Sequence, residues 1–412
     1  MKDKKEALTC IVYCRMVRAT LAIATVLLLT GLVAQRAQAQ NYTVVYDFTG
    51  GADGGGPFAG LIRDAAGNSY GTTEYGGDLS CFFGEGCGVV FKLDPAGNET
   101  VLYTFTGGPD GALPEAGVIS DAAGNLYGTT SSGGDLSCNC GVVFKLDPAG
   151  DLTVLHTFTG GTDGANPLLG SLIMDSAGSL YGTAFGGGDL GCNSGYGCGV
   201  VFTLDTAGNE TVVHSFTGGR DGAYPYAGLL RDGAGNLYGT TYQGGDRVCD
   251  KGCGVVFKLN PAGKEIVAHS FTGGADGANP WAGLIRDNAG NLYGTTYGIL
   301  SSDAGTVFEL DSAGHETVLY GFTGGADGAY PAAGLIRDTA GNLYGATYGG
   351  GAGGGVVFMV TPNGQEQVLH AFAPADGYNS YARLLPYKGS LYGTASGGGA
   401  YGFGVVFKLT PH

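Results

Sequence analysis

Basic residues are scarce in this sequence of 412 residues, which has 20 Lys and Arg against 36 Asp and Glu and a formal net charge of −16. A nucleic-acid-binding surface needs a basic stripe that neutralises phosphates, so we expect no nucleic acid among the partners. Beyond the N-terminus no apolar pattern of period 3.6 is long enough to predict a helix. The glycine follows no three-residue period, which excludes collagen. Hydrophobic residues still make up 43 %, too many for a disordered chain.

Motifs of catalysis are also missing. The sequence has no phosphate-binding loop, no nucleophile motif and no unique pair of a histidine with a carboxylate. We therefore expect a non-enzymatic binding or scaffold protein without a cofactor, and no catalytic residue is assigned. The alternative is a polysaccharide lyase or glycoside hydrolase, for which Glu74, Glu85, Glu115 or Arg220 are candidates.

The N-terminus has the order of a secretory signal. Residues 1–39 contain a basic segment, an apolar run from Ala19 to Ala34, and Ala37-Gln38-Ala39 as a cleavage site. The run is shorter than a membrane span needs, and no later stretch approaches its length. We expect a secreted, periplasmic or cell-surface protein without a membrane span after cleavage. The mature chain would carry a charge of −20.

What the sequence has in abundance is glycine, 82 residues, and one repeated unit. The phrase Tyr-Gly-Thr or Tyr-Gly-Ala begins at Tyr70, Tyr127, Tyr181, Tyr238, Tyr293, Tyr344 and Tyr392. In the first unit, segments 59–63, 68–73, 88–93 and 100–105 are rich in β-branched and aromatic residues, and turns with Asp and Gly separate them. The pattern predicts an all-β fold: a seven-bladed β-propeller with four antiparallel strands per blade, one domain over 40–412.

The two ends of the chain complement one another. Residues 43–48 resemble a fourth strand without its first three, and residues 404–409 resemble a third strand without its fourth. We predict that the N-terminal strand completes the seventh blade and closes the ring, which removes an open sheet edge. An open solenoid is the alternative.

The repeats resemble a known family. Ala-Gly-Leu-Ile-x-Asp-x-Ala-Gly-Asn-Leu-Tyr-Gly-Thr-Thr, then Gly-Val-Val-Phe-Lys-Leu and Phe-Thr-Gly-Gly-x-Asp-Gly, are similar to the GloVer-type tandem repeat of exported bacterial "choice-of-anchor" proteins. They are also similar, more loosely, to the strand pattern of NHL-type propellers. The resemblance implies an extracytoplasmic propeller and no particular activity.

All eight cysteines beyond the signal lie between second and third strands, in the pairs Cys81/Cys87, Cys138/Cys140, Cys192/Cys198 and Cys249/Cys253. Even numbers of cysteines in an exported chain predict disulfides within each loop. A zinc site would require two loops to pool their thiolates. The ring closed by Cys138 and Cys140 is the shortest, and it is the pair that we expect to be most reducible.

Polar residues that recur in every blade have structural interpretations. An Asp-Gly pair stands in each inter-blade loop, and we expect its carboxylate to accept backbone hydrogen bonds. The alternative is that these carboxylates bind calcium. Histidines two residues before the fourth-strand Phe predict packing between blades. A partial ring of Arg63, Arg231, Arg286 and Arg337 predicts ion pairs with aspartates of neighbouring blades, and the alternative is that the ring holds an anion near the channel.

The repeat varies most beside the inter-blade proline, on the face where propellers usually bind ligands. We predict a ligand-binding set at the mouth of the channel, in which aromatic rings stack on sugars and amides bind hydroxyls. Its members are Phe58, Tyr224, Tyr226, Trp281, Tyr330, Tyr381, Asn166, Asn279 and Asn379. The partner would be an extracellular glycan or protein, and the propeller itself a monomer. The alternative is that these side chains only fill the channel.

Overall fold

The computed structural model describes residues 41–246, 248–299 and 303–411, of which Tyr42–Pro411 form one compact unit. The predicted signal at 1–39 lies outside the described residues. Twenty-eight strands form seven antiparallel four-stranded sheets, which are the blades of a β-propeller. The part of the chain that the structure describes otherwise contains only two short 3-10 turns, Phe82–Gly84 and Asn193–Gly195. The fold is thus the seven-bladed propeller that the repeats predict.

The strands follow one another in chain order from the channel outward. Blade 1 consists of β2 (Ile62–Arg63), β3 (Ser69–Thr73), β4 (Val89–Leu93) and β5 (Glu99–Thr104). Blade 2 consists of β6 (Ile119–Ser120), β7 (Leu126–Thr130), β8 (Val142–Leu146) and β9 (Leu152–Thr157). Blade 3 consists of β10 (Ile173–Met174), β11 (Leu180–Ala184), β12 (Val200–Leu204) and β13 (Glu210–Ser215). Blade 4 consists of β14 (Leu230–Arg231), β15 (Leu237–Thr241), β16 (Val255–Leu259) and β17 (Glu265–Ser270).

Blade 5 consists of β18 (Ile285–Arg286), β19 (Leu292–Thr296), β20 (Thr306–Leu310) and β21 (Glu316–Gly321). Blade 6 consists of β22 (Ile336–Arg337), β23 (Leu343–Ala346), β24 (Val356–Val360) and β25 (Glu366–Ala371). Blade 7 consists of β26 (Leu385–Tyr387), β27 (Ser390–Ala395), β28 (Val405–Thr410) and, as its outer strand, β1 (Asn41–Asp47). The prediction that the N-terminal strand closes the ring is therefore confirmed.

The innermost strand of each blade is shorter than predicted. The sequence pattern predicts a strand over 59–63, whereas in β2 only Ile62 and Arg63 pair with β3. The preceding residues leave the sheet because the backbones of neighbouring blades meet at the channel wall. A Cβ atom on Gly117 would lie 2.9 Å from the carbonyl oxygen of Gly60, so this position needs glycine.

The core lies between the blades. In each interface a third-strand Phe meets, edge to face, the Phe that follows the fourth strand of the preceding blade, with ring centroids 5.0 to 5.3 Å apart. The glycine of the Tyr-Gly-Thr phrase makes room for this ring, since a Cβ on Gly71 would lie 2.7 Å from Cζ of Phe91. Aromatic edge-to-face packing is favourable beyond the area that it buries. Because this contact occurs at all seven interfaces, the glycine of the repeated phrase is needed in every blade.

Closure uses β1 in the way that other blades use their own fourth strand. The backbone N–H of Phe48 donates to the carbonyl of Gly404 at 3.0 Å, and Asp47 accepts from the N–H of Ala400 at 2.9 Å. On the outer surface of the seventh interface, the ring of Tyr42 stacks on His370 with centroids 3.8 Å apart.

The loop aspartates accept hydrogen bonds within their own loops. Asp53 accepts from the backbone N–H of Thr49 at 2.8 Å, from the hydroxyl of Thr49 and from the hydroxyl of Tyr46 at 3.1 Å. In four blades a histidine replaces the tyrosine and faces the aspartate, as in His156 and Asp163, whose Nε2 and Oδ2 are 3.3 Å apart. The prediction that the loop aspartates accept backbone hydrogen bonds is confirmed. Within the described ranges no group of three or more His, Cys, Asp or Glu could hold a metal ion, and calcium stays a prediction.

The arginines at the foot of the first strands behave differently from the prediction. Only Arg231 approaches an aspartate of the neighbouring blade, with 3.9 Å between Nη2 and Oδ2 of Asp175. Arg63 instead lies over the rings of Tyr387 and Tyr392, with its Cζ 4.3 and 4.0 Å from their centroids. The predicted ion pair is therefore found for Arg231, whereas the guanidinium groups of Arg63 and Arg337 lie over tyrosine rings of the neighbouring blade.

Each cysteine pair forms a disulfide inside its own loop, as predicted: Cys81–Cys87, Cys138–Cys140, Cys192–Cys198 and Cys249–Cys253. The disulfides also support the next inter-blade loop. A Cβ on Gly107 would lie 2.5 Å from Sγ of Cys81, so the sulfur packs directly on that loop. In blade 7 the ring of Phe403 takes this place against Gly50.

In five blades a glutamate begins the fourth strand. It lies near the aspartate of the inter-blade loop that leads into the same blade. Burial, and then the charge of that aspartate, raises the pKa of each glutamate to about 7. The pairs are Glu99 with Asp53, Glu210 with Asp163, Glu265 with Asp221, Glu316 with Asp276, and Glu366 with Asp327. Each of these aspartates also faces a tyrosine or a histidine. Burial raises the pKa values of the tyrosines, Tyr46 and Tyr320, and lowers those of the histidines, His156, His214 and His269.

These glutamates make stability depend on pH. Their folded pKa values exceed the unfolded value, so they stabilise the fold fully below pH 4.5, and the contribution is lost as the pH rises through about 7. The histidines have the opposite effect on stability, because burial lowers their pKa values in the folded chain. They destabilise the fold only below pH 6.5, where the histidines of the unfolded chain become protonated. We expect the melting temperature to rise from pH 8 to pH 6.5 by about 3 °C, since solvent screening leaves roughly 0.5 kcal/mol per glutamate.

Calorimetry at the two pH values measures the effect. Replacing all five glutamates by Gln should remove most of the rise, because Gln does not titrate, whereas the matched control Glu309→Gln, on the third strand of blade 5, should keep it. A melting temperature equal or lower at pH 6.5 in the unmodified chain would contradict the prediction.

Candidate functional site

One face of the propeller gathers the long loops. Backbone pairs such as Gly55 with Tyr75 and Ala112 with Ser132 tie each inter-blade loop to the following loop between second and third strands. The tight Asp–Gly turns join the other ends of the strands, and therefore lie on the opposite face of the propeller. The channel therefore opens on a long-loop face, which we call the mouth, as the sequence predicts.

A cavity of about 610 Å³ occupies the centre of the ring. Its wall consists of the first-strand segments, and most side chains in it are apolar. Phe58, Trp281 and Tyr381 line the mouth end, and Arg63 and Arg337 line the other end. The volume lies within the range of small-molecule sites.

An unusual backbone shapes the mouth. The residue before the loop Pro or Ser380 has a φ between 51° and 64° in all seven blades. The residues are Gly56, Leu113, Asn166, Tyr224, Asn279, Tyr330 and Asn379. For a tyrosine this left-handed conformation is unfavourable. Tyr224 is held in it on both sides: its N–H donates to Cys198 at 2.9 Å, and its carbonyl accepts from Tyr242 at 3.0 Å.

Aromatic rings form a continuous arc around most of the mouth. Neighbouring members contact one another with centroid separations of 4.5 to 6.5 Å. In order these members, which we call the aromatic arc, are Phe185, Tyr226, Trp281, Tyr297, Tyr348, Tyr381 and Phe58. Tyr224 and Tyr330 stack on its outer side, against Phe185 and Tyr297. All six aromatic residues of the predicted set thus come together.

Three members of the arc are absent from the predicted set. Phe185, Tyr297 and Tyr348 lie four residues after the tyrosine of the repeated phrase. In the other blades this position is occupied by Glu74, Ser131, Tyr242 and Ser396. The signal was present in the sequence, because this position varies beside the constant Tyr-Gly-Thr phrase. It was missed because the direction of a side chain just beyond a strand end depends on the loop backbone.

The predicted asparagines have structural partners. The side-chain amide of Asn166 donates to the carbonyl of Ser131 at 2.8 Å, and its oxygen accepts from Tyr196 at 2.9 Å. The amide of Asn279 donates to the carbonyl of Tyr242 at 2.8 Å. Asn379 contributes its backbone, whose carbonyl accepts from Ser396. These residues support the mouth, and any direct contact with a ligand stays a prediction.

Two carboxyl groups, Glu74 and Glu115, lie near one another between the two ends of the arc, and Tyr75 hydrogen-bonds with Glu74. Burial, and then the charge of Glu115, raises the pKa of Glu74 to about 8, and burial raises the pKa of Glu115 as well. Glu74 is therefore mostly protonated at neutral pH and can donate a hydrogen bond. Burial also raises the pKa of Tyr226 and Tyr297 to about 12, so both hydroxyls stay neutral.

Comparisons with known proteins agree with this architecture. The chain is similar to the extracellular domain of BT4673 from B. thetaiotaomicron, with 13 % identity and a TM-score of 0.55, over 91 % of this chain and 40 % of that one. The chain thus spans less than half the length of that protein. A gluconolactonase from Xanthomonas campestris has 16 % identity and a TM-score of 0.41, over 70 % of this chain and 82 % of that one. The 13 % identity to the BT4673 domain shows the fold alone.

No curated protein matches the sequence. Among the residues that the structure describes, no helix is long and apolar enough to cross a membrane. The model of the Gloeobacter/Verrucomicrobia repeat matches residues 30–249 and 247–412, which include all seven blades. The chain therefore belongs to the Gloeobacter/Verrucomicrobia repeat family.

Proposed function

We propose that this protein is an exported binding module that holds a glycan at the mouth of its channel. The observation that supports it is the aromatic arc, three of whose residues, Phe58, Trp281 and Tyr381, line the apolar cavity. Sugar rings stack on aromatic side chains, and polar groups at the edge of a site fix their hydroxyls. Disulfides in four loops fit export to an oxidising compartment, outside the cell or in the periplasm.

Polar groups around the arc fit this ligand class. The indole Nε1–H of Trp281 is buried and has no hydrogen-bond partner in the described chain, so it can donate to a sugar oxygen. Protonated Glu74 offers a second donor across the mouth. A set of this kind discriminates hydroxyl positions because an unmatched buried polar group is costly.

Binding should depend on the centre of the arc. We expect Trp281→Ala and Tyr226→Ala each to weaken the binding of a glycan found by array screening about tenfold or more, since both rings are half-buried anchors whose centroids are 4.5 Å apart. Titration calorimetry measures the change. Trp281→Phe should retain part of the affinity, and Tyr401→Ala, an exposed aromatic outside the arc, serves as the matched control.

Two outcomes would replace the proposal. If no glycan binds, the mouth is not a lectin site, and the rings only fill the funnel. If a glycan is instead shortened over time, the protein is a lyase or hydrolase, for which the Glu74 and Glu115 pair is the candidate machinery. Glu115→Gln would then abolish the depolymerisation.

A further inference from the structure

One position in the channel wall breaks the repeat. Two residues before the first strand, five blades have glycine, namely Gly60, Gly117, Gly228, Gly283 and Gly334, and blade 3 has Ser171. Blade 7 has Arg383 there. Glycine is needed where blades meet closely: a Cβ on Gly60 would lie 2.9 Å from the carbonyl oxygen of Arg383. Arg383 is accommodated because its own Cβ, Cγ and Cδ pass Gly334, 3.5 to 3.7 Å from where a Cβ would be.

The charges in the cavity all have one sign. Of the described residues that line it, the charged ones are Arg63, Arg337 and Arg383, although the chain as a whole carries −16. Arg63 donates to the hydroxyl of Ser69 at 2.8 Å and lies over two tyrosines, and Arg337 lies over Tyr293. The two arginines at the foot of the channel are thus occupied.

Arg383 differs from both. Its side chain makes no hydrogen bond, ion pair or ring contact with any described residue, and it is open to the lumen. Neighbouring protein atoms partly desolvate the guanidinium and lower its pKa below its usual value. The side chain is nevertheless exposed to the lumen, so it can reach an anion inside the cavity. The planar guanidinium fork matches a carboxylate, which it can bind with two parallel hydrogen bonds.

We propose that Arg383 binds the carboxylate of an acidic sugar, a uronate, whose ring lies against the aromatic arc. This rests on the proposed glycan-binding function and names its ligand class. A cavity of about 610 Å³ admits only a short ligand, so the recognised group is the end of a uronate-containing chain. Neither Glu74 nor Glu115 lines the cavity, and the raised pKa of Glu74, about 8, keeps that carboxyl mostly protonated at neutral pH.

The test uses the fluorescence of Trp281, the single tryptophan of the chain, during titration with digalacturonate and with neutral digalactose. We expect the unmodified protein to prefer the acid, and Arg383→Gly to reduce the acid-over-neutral affinity ratio about 10- to 100-fold, to near one. Glycine is the natural residue here in five blades, so this variant should fold. Arg383→Lys should keep a partial preference, and Arg231→Gln, outside the cavity and paired with Asp175, is the matched control.

Each other outcome contradicts the inference in a recognisable way. Equal affinity for acid and neutral sugar in the unmodified protein, or an unchanged ratio in Arg383→Gly, overturns the uronate site while the glycan-binding function stands. Tighter binding of inorganic phosphate than of digalacturonate, lost in Arg383→Gly, would assign the site to phosphate instead. Binding of neither sugar, followed by an array without any hit, overturns the proposed function together with this inference.

Discussion

A chain that begins at Gly50 should lose cooperative unfolding and self-associate. Removing β1 leaves β28 with an unpaired edge, and it uncovers the core cluster in which Phe48 packs on Phe91 and Val406. Phe48 is fully buried, and losing a buried Phe alone costs about 3–5 kcal/mol. Exposed strand edges pair with other chains. Calorimetry and light scattering measure the two consequences.

A rearranged chain provides the control. Residues 41–49 can be attached after Thr410 through a copy of the turn 94–98, which joins the third and fourth strands of blade 1. This permuted chain, begun at Gly50, restores the same strand beside β28 and should regain the sharp transition. Closure by β1 is unnecessary for stability if the shortened chain melts like the full one.

Reduction of the four disulfides should lower the melting temperature by about 5–10 °C without unfolding the sheets. A disulfide that closes a loop of two to six residues adds about 2 kcal/mol to the free energy of unfolding, so the four together add roughly 8 kcal/mol. For a chain of this size the melting temperature falls by about 1 °C for each kcal/mol lost. The strands keep their ladders and their interfaces between blades. Calorimetry and far-ultraviolet circular dichroism, with and without a thiol reductant, measure both parts.

Hydrogen exchange locates the effect, since the chain contains its own reference. The loops of blades 1 to 4 should exchange faster after reduction, whereas the corresponding loops of blades 5 to 7, which lack cysteine, should not change. A uniform change in all seven blades, or complete unfolding, would show that the disulfides hold the ring itself. Free thiols in the untreated protein would contradict the pairing.

The sequence was sufficient to predict the blades because each is specified by local patterns. The alternation around Tyr70 and the glycine turns set strand and turn positions independently of the rest of the chain, and the complementary ends predicted the pairing of β1 with β28. The inner strands were predicted too long because contact between Gly60 and Gly117, 57 residues apart, is not encoded in either segment alone.

The mouth could be predicted only in part. Variation beside the loop proline predicts Trp281 and Tyr226, which the structure stacks together, and their contact with a ligand stays a prediction. The amide of Asn166, predicted to bind a ligand as well, holds a neighbouring loop through the carbonyl of Ser131. Arg383 could not be predicted as a site residue. Most other blades have glycine at this position, and only the structure shows that the position faces the cavity.

Closure by β1 also determines the order in which the molecule can form. Asp47 and Ala400, which meet in blade 7, are 353 residues apart, so this closure joins the two ends of the described chain. Contacts so distant in sequence form late, and the first strand must remain without its partner until the last blade exists. The crosslinked loops all belong to blades 1 to 4, the half of the chain that waits longest. Covalent loops would keep these early blades assembled during that delay, and blades 5 to 7, completed just before closure, have no need of them.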